Sequence, residues 1–324
     1  MLDKNILDQV KGVFASLKSQ ITFAATSRKD DEKKAGLLEF LNDIASTSEK
    51  LSVSFTEEEN AQLSFKLLKD NNETGITFRG IPNGHEFTSL LLAVLNTDGQ
   101  GKNFPDEAIQ RRIKSLKGEI ALKTYVSLTC TNCPDVVQAL NLMSLINPNI
   151  KHEMVDGGIY QQEVSDLNIQ GVPAVYCNNE SLHIGRGDLG ILLQELEDMV
   201  GSEALENEET IEREYDVIVV GGGPAGASAA IYSARKGLKV GLVAERIGGQ
   251  VNDTTGIQNL ISVPNTNGTQ LAADLKAHLS DYPIELFEHR KIASVSLKEK
   301  TKSIKVKGGE VFKAPAIIIA TGAN

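Results

Sequence analysis

Leu2, Ile6, Val10, Phe14 and Leu17 recur every three or four residues at the start of the chain, the spacing of one face of an amphipathic helix. Further on the period shortens. Ile76-Thr-Phe-Arg79 predicts a strand, Ile81-Pro-Asn-Gly84 a turn, and Phe87–Leu95 a return to helix, so residues 1–115 alternate the two patterns. Residues 118–199 repeat that logic. Ile120–Val126 predicts a strand, Val136, Leu140 and Met143 line one helical face, and Ile150–Val155 predicts a second strand with a short helix near 161–167. Ala174–Cys177, Asn178-Asn179 and Leu182–Ile184 read as a hairpin, followed by a last helix over about 188–199. Glu86-Phe87-x-x-Leu90-Leu91 matches Asp188-Leu189-x-x-Leu192-Leu193, each after a Gly-containing turn, as two copies of one β/α unit would.

Gly201 ends that pattern, and residues 202–214 carry six glutamates with few large apolar side chains. Charge repulsion would keep such a stretch extended as a linker; a solvated helix packed on a neighbour is the competing picture. From Tyr215 the character changes. Tyr215–Val220 is a buried-strand pattern, Ala227–Arg235 a small-residue helix, and Lys239–Ala244 a second strand; Ala316–Gly322 is a strand ending in Ala-Thr-Gly. The expected divisions are 1–117, 118–200, an acidic linker at 201–214, and 215–324.

Composition narrows the class. A chain of 324 residues with 41% hydrophobic positions can build two or three cores, and its net charge of −10 argues against a nucleic-acid surface. No run approaches the roughly 18–20 apolar residues of a membrane span, and Lys4, Asp8 and Lys11 interrupt any signal-peptide core. Three cysteines do not make a disulfide scaffold, so a reducing cytoplasm is expected.

Cys130 and Cys133 form a Cys-x-x-Cys between a strand pattern and a helix pattern. At a helix N-terminus, unpaired N–H groups and the helix dipole stabilise the Cys130 thiolate, while Cys133 one turn on can resolve a mixed disulfide. Pro134 suits the first helical turn because its missing N–H costs little there. Zinc would require two more Cys or His ligands, and no second Cys-x-x-Cys or paired histidine spacing supplies them; an inert pair is the other alternative. Cys177, in a strand pattern, is expected to pack as a small apolar side chain. Val172-Pro173, some forty residues on and just before the hairpin, stands where thioredoxin-like folds carry a proline facing the dithiol; alternatively Pro173 merely starts a strand.

Gly221-Gly-Gly223-Pro-Ala-Gly226 follows a strand, opens a helix and leads to a second strand ending at Glu245, the full context of a dinucleotide fingerprint. Gly221 permits the turn, Gly223 lets the backbone approach a pyrophosphate, with Pro224 and Ala225 beside it, and Gly226 lets helix and strand pack closely. Glu245 can accept from ribose hydroxyls. FAD is favoured over NAD(P) by Gly248-Gly249-Gln250 just after the acidic residue, by the loop at Asn259–Pro264, and by the closing Ala-Thr321-Gly322; Gln250 and Asn259 could also be plain loop residues.

Thr129-Cys-Thr-Asn-Cys-Pro134, Gly80-Ile-Pro-x-Gly-His-Glu-Phe87, Gly221-Gly-Gly-Pro-Ala-Gly226 and Gly248-Gly-Gln250, in this order, resemble the flavoproteins of bacterial alkyl hydroperoxide reductases over essentially the whole chain. The resemblance implies an α/β architecture of tandem thioredoxin-like folds followed by a partial Rossmann-type FAD-binding domain. It further implies an electron route from NAD(P)H through FAD and a reductase dithiol to Cys130/Cys133, then to a peroxiredoxin that reduces hydroperoxides, in a cytoplasmic protein that is a homodimer at full length. It draws attention to Glu86 as an acid/base group for the thiols, against the alternative of a solvated first-turn glutamate. The family continues past the Ala-Thr-Gly strand into a nicotinamide domain with a second Cys-x-x-Cys, whereas these residues end at Asn324, so a truncated member is expected. Two rival functions stand beside this one. The first is an incomplete module that holds FAD or docks a partner without turnover; the second is a general disulfide reductase working through residues 118–199 alone.

Overall fold

The computed structural model describes residues 2–203 and 210–322, and the chain divides into two compact units, Met1–Ala204 and Leu205–Asn324. The first unit begins with α1 (Lys4–Val13), β1 (Ile21–Ser27), α2 (Lys34–Ala45), β2 (Leu51–Glu57), β3 (Ser64–Lys69), β4 (Asn72–Arg79) and α3 (Phe87–Asp98). After α4 (Glu107–Lys114) come β5 (Ile120–Val126), α5 (Cys133–Ile146), β6 (Ile150–Asp156), α6 (Gln161–Asp166), β7 (Ala174–Cys177), β8 (Glu180–Ile184) and α7 (Leu189–Val200).

Among the described residues these strands form one eight-stranded sheet in the order β2-β1-β3-β4-β6-β5-β7-β8. The first four and the last four repeat one connectivity, so the internal match seen in the sequence is a structural duplication, and α3 and α7 begin at the matched Phe87 and Leu189. The halves join where β4 runs parallel to β6, from Ile76 beside His152 to Arg79 beside Val155. β1, β2, β4, β5 and β6 all point the same way, so the loops after β4 and β5 meet at one end of the sheet.

Helix α5 packs between layers and is apolar nearly all round, ten of its fourteen residues being buried. Each large side chain so removed from water contributes about 1.5–3 kcal/mol. Asn141 Oδ1 of this helix lies 2.7 Å from His152 Nδ1, and His152 Nε2 lies 2.8 Å from Thr124 Oγ1. Complete burial holds the His152 pKa down at about 3, so the ring is neutral. The Cys130/Cys133 turn differs locally from expectation. Cys130 N donates to Ser127 O at 2.9 Å, closing a turn of its own, and the helix begins only at Cys133, with Asn132 as its cap and Pro134 in its first turn.

The second unit opens with β9 (Glu212–Glu214), β10 (Val217–Val220), α8 (Pro224–Arg235), β11 (Val240–Val243) and α9 (Gly268–Ser280). It continues with β12 (Ile284–Phe287), β13 (Ile292–Ser296), β14 (Lys302–Val306), β15 (Val311–Ala314) and β16 (Ala316–Ile319). A parallel sheet β12-β11-β10-β16 is buried on both faces of β10: Val217 and Val219 pack with Ala227, Ala230 and Ile231 of α8, Ile218 and Val220 with Phe287 and Phe312. A second sheet, β13-β14-β15-β9, includes the end of the acidic stretch: Glu212–Glu214 pair in parallel with β15. Residues 204–209 of that stretch lie outside the described residues.

Candidate active site

Two loops bring Cys130, Cys133 and Glu86 together. The segment 80–86 leaves β4 and crosses to the end of β5, where His85 N donates to Leu128 O at 3.0 Å. The approach demands glycine: at Gly84, with φ +56°, a Cβ would lie 2.5 Å from Leu128 O. The crossing delivers Glu86 to the start of α3, which packs on α5.

Glu86 is fully buried, and neither carboxyl oxygen has a hydrogen-bond partner. Burial pushes its pKa up to about 7; the nearby Ser89 hydroxyl, outside hydrogen-bond geometry, pulls it back, and the Asp135 carboxylate in the first turn of α5 pushes it further up. A solvated first-turn glutamate is therefore excluded by geometry. Cys133 is also fully buried, and its thiol is held well above the ordinary range, first by burial and then by a hydrogen bond with Cys130, with the Glu86 charge adding to both. Cys130 is the accessible member, half-buried, its Sγ donating to Val172 O at 3.7 Å. No disulfide joins the two. Pro173 follows a cis peptide at Val172, and its carbonyl accepts from Gly185 N at 2.8 Å.

Chemically, these groups are an accessible, half-buried thiol, a buried thiol and a buried carboxyl that changes charge near neutrality. Such a set can exchange disulfides and move one proton. Cys177, on β7, is buried and its thiol pushed up by burial, as a packing residue would be. Among the described residues no group of three or more His, Cys, Asp or Glu is placed to hold a metal, and no helix is long and apolar enough to cross a membrane. Sequence reasoning missed the Val172 carbonyl and Asp135. The carbonyl left no mark in the sequence, whereas Asp135, directly after Cys133-Pro134 in a first helical turn, was detectable.

In the second unit the glycine-rich turn sits between β10 and α8, and two of its glycines are dictated by packing. A Cβ on Gly221 (φ +112°) would lie 2.2 Å from Ala320 O, and one on Gly226 only 1.9 Å from Gly221 O. Gly223 faces open space, its nearest would-be neighbour being Gly248 O at 3.9 Å. Gly223 also caps α8 without a side chain, leaving the first N–H groups of the helix, those of Ala225 and Gly226, uncovered, while Pro224 at the first position has no N–H to satisfy. The cradle thus fits a pyrophosphate at a helix N-terminus. Exposed Glu245 follows β11 at the same sheet end, where Gly248 N donates to Gly222 O at 2.8 Å and brings Gly249 and Gln250 to the turn. Thr321 and Gly322 follow β16, which pairs with β10, while Asn259 is exposed in the long loop between β11 and α9.

A family model described as pyridine nucleotide-disulphide oxidoreductase matches residues 215–324. Over all 324 residues the chain is 43% identical to a Bacillus subtilis (strain 168) protein named NADH dehydrogenase and 42% identical to the F component of alkyl hydroperoxide reductase of Staphylococcus aureus (strain MRSA252). It spans 62% of the length of each. Among solved structures, the NTD N/C domain of the alkylhydroperoxide reductase AhpF from Enterococcus faecalis (V583) is similar, with 31% identity and a TM-score of 0.57, matching 60% of this chain and 100% of that one. A protein disulfide oxidoreductase from Aeropyrum pernix k1 shares the fold at 16% identity and a TM-score of 0.56, over 64% of this chain and 98% of that one.

Proposed function

Because this chain belongs to the alkyl hydroperoxide reductase AhpF family, we propose that it is a disulfide oxidoreductase whose Cys130/Cys133 dithiol passes reducing equivalents from NAD(P)H to a peroxiredoxin. One observation carries the proposal: Glu86, a buried carboxyl without a hydrogen-bond partner, stands beside a buried thiol whose partner thiol is accessible.

The Cys130 thiolate attacks one sulfur of the partner's disulfide, forming an intermolecular S–S bond and expelling the other sulfur as a thiolate that takes up a proton. Cys133 then loses its proton to the Glu86 carboxylate and attacks Cys130 Sγ. The mixed disulfide breaks, the second partner thiolate leaves, and a Cys130–Cys133 disulfide remains. Two electrons have moved to the partner. Val172 O orients the Cys130 thiol, and Pro173 lines the approach.

In the second unit, Gly221, Gly223, Pro224, Ala225 and Gly226 would hold the pyrophosphate of FAD, Glu245 its ribose, and Gly249, Gln250, Asn259, Thr321 and Gly322 the remaining edges. When bound, FAD supplies two-electron redox chemistry. The proposal extends to division at 117, 200 and 214, supported by the duplicated strand order, and, following the resemblance, to a cytoplasmic homodimer.

The test is a trapping experiment with the oxidised peroxiredoxin of an AhpF relative and dithiothreitol-reduced chain. Cys133→Ser is expected to accumulate a covalent adduct through Cys130, and Cys130→Ser to show neither adduct nor turnover. A Cys133→Ser chain that forms no adduct sinks the assignment.

A further inference from the structure

We infer that Arg79 is a positioning residue for the dithiol, holding α6 so that the backbone at Val172–Pro173 stands against Cys130. This rests on the exchange reaction proposed above and adds to it what the half of the first unit without cysteines supplies.

Arg79 ends β4, and only 4% of it is exposed. Its guanidinium grips Glu163 of α6 with both terminal nitrogens, Nη1 to Oε2 at 3.1 Å and Nη2 to Oε1, and lies over the Tyr160 ring, 4.2 Å from its centroid. Two further donors converge on the same carboxylate, Tyr125 Oη at 3.0 Å and Gln62 Nε2 at 3.2 Å. Tyr160 Oη donates to Leu63 O at 2.7 Å. Gln62, Leu63 and Arg79 come from the first repeat, and Tyr125, Tyr160 and Glu163 from the second. An α-helix of six residues has little stability of its own, so these bonds and a small apolar patch decide where α6 rests.

What α6 carries is the inner wall of the site. Ile169 N donates to Val164 O at 3.0 Å, and Val164 and Ile169 pack with Tyr125, Val155 and Ala174. Only Gln170 and Gly171 lie between Ile169 and Val172, whose carbonyl receives the Cys130 thiol, so a shift of α6 is passed to that carbonyl along a short tether. An incoming disulfide approaches Cys130 along this backbone. Arginine suits the position because its planar fork satisfies both carboxylate oxygens while stacking on a ring; a lysine ammonium does only one of these. From the end of β4 the first repeat thus frames the dithiol twice, with Arg79 behind the Val172 wall and Glu86 behind Cys133.

Arg79→Lys, Arg79→Met, Glu163→Gln and the Arg79→Met/Glu163→Gln double variant of the whole chain test this, read by amide hydrogen exchange and by two rates at Cys130. In Arg79→Lys the bonded amides of residues 167–169 should lose protection while those of α5 and β5 keep it. Reduction of a peroxiredoxin disulfide should fall about tenfold, the size of coupling usual within one polar network, while alkylation of Cys130 by iodoacetamide, which needs no docking, stays unchanged. The double variant should be no slower than Arg79→Met. If Arg79→Met does not fold, Arg79→Lys, which keeps the charge and the stem, still decides the question. Unchanged protection at 167–169 overturns the inference, and so does an equal fall in both rates. A parent chain that reduces no disulfide would remove the proposed function, yet the protection measurement would still rule on Arg79.

Discussion

Glu86 is where a single side chain carries the most consequence. Burial raises its carboxyl from 4.5 to about 7, so the folded chain binds a proton more tightly than the unfolded one. The stabilisation is complete below pH 4.5 and is lost as pH rises through about 7. The loss amounts to about 3 kcal/mol, and Glu86→Gln should abolish this slope, so urea unfolding at about pH 5 and about pH 8 should differ less in the variant than in the parent. Activity should move the opposite way. The resolving step gains a base as Glu86 ionises, so its rate should climb with pH through about 7. Glu86→Gln should lose that limb and at least about tenfold in rate, measured by stopped-flow release of the partner from the mixed disulfide. A variant with the parental pH profile would show that another group takes the Cys133 proton.

At the scale of elements, a motif shared by two helices has two outcomes. Asp188, the counterpart of Glu86, caps α7 by accepting from Ile191 N at 3.0 Å. Glu86, at the N-cap of α3, makes no side-chain capping bond, and its charge bears instead on Cys133 of α5. Asp188→Ala should therefore cost about 1 kcal/mol, seen as a lower urea midpoint, and leave exchange untouched. In the second unit the close approach of α8 to β10 leaves no room beside Gly226. Gly226→Ala should spread that turn and release flavin, read as lost flavin absorbance after gel filtration, without slowing exchange driven by dithiothreitol. Retained flavin in that variant would contradict the cradle.

Over the whole molecule, the two halves of the eight-stranded sheet share one core. Val126, Cys133, Val137 and Met154 of the second half pack in the same cluster as Phe23, Phe65, Phe78 and Leu90 of the first. Cutting between them would expose that cluster and the β4–β6 ladder together. A chain of residues 118–201 should accordingly show no cooperative urea transition by circular dichroism, which weighs against a reductase working through that half alone. Residues 1–201 hold every side chain placed at the dithiol, and they should exchange at the parental rate when dithiothreitol is the reductant.

Much of this was written along the chain. Strands and helices from Ile120 to Val200 follow from apolar spacing, because local periodicity decides which face can be buried. The Cys-x-x-Cys and the Gly221–Gly226 turn were legible because each is a short contiguous device whose chemistry depends on near neighbours. Helix α5 starting at Cys133, rather than at Cys130, was decided by the turn that Cys130 N closes on Ser127 O. The burial of polar and charged side chains was not legible. Nothing in residues 80–87 separates a buried Glu86 from a solvated one, and nothing in Arg79 or Glu163 announces their pairing across 84 positions. Spacing sets which residues share a face, but only the meeting of β4, β5 and β6 in one sheet sets which distant side chains lose their water together, and with it their charge, their partners and their work.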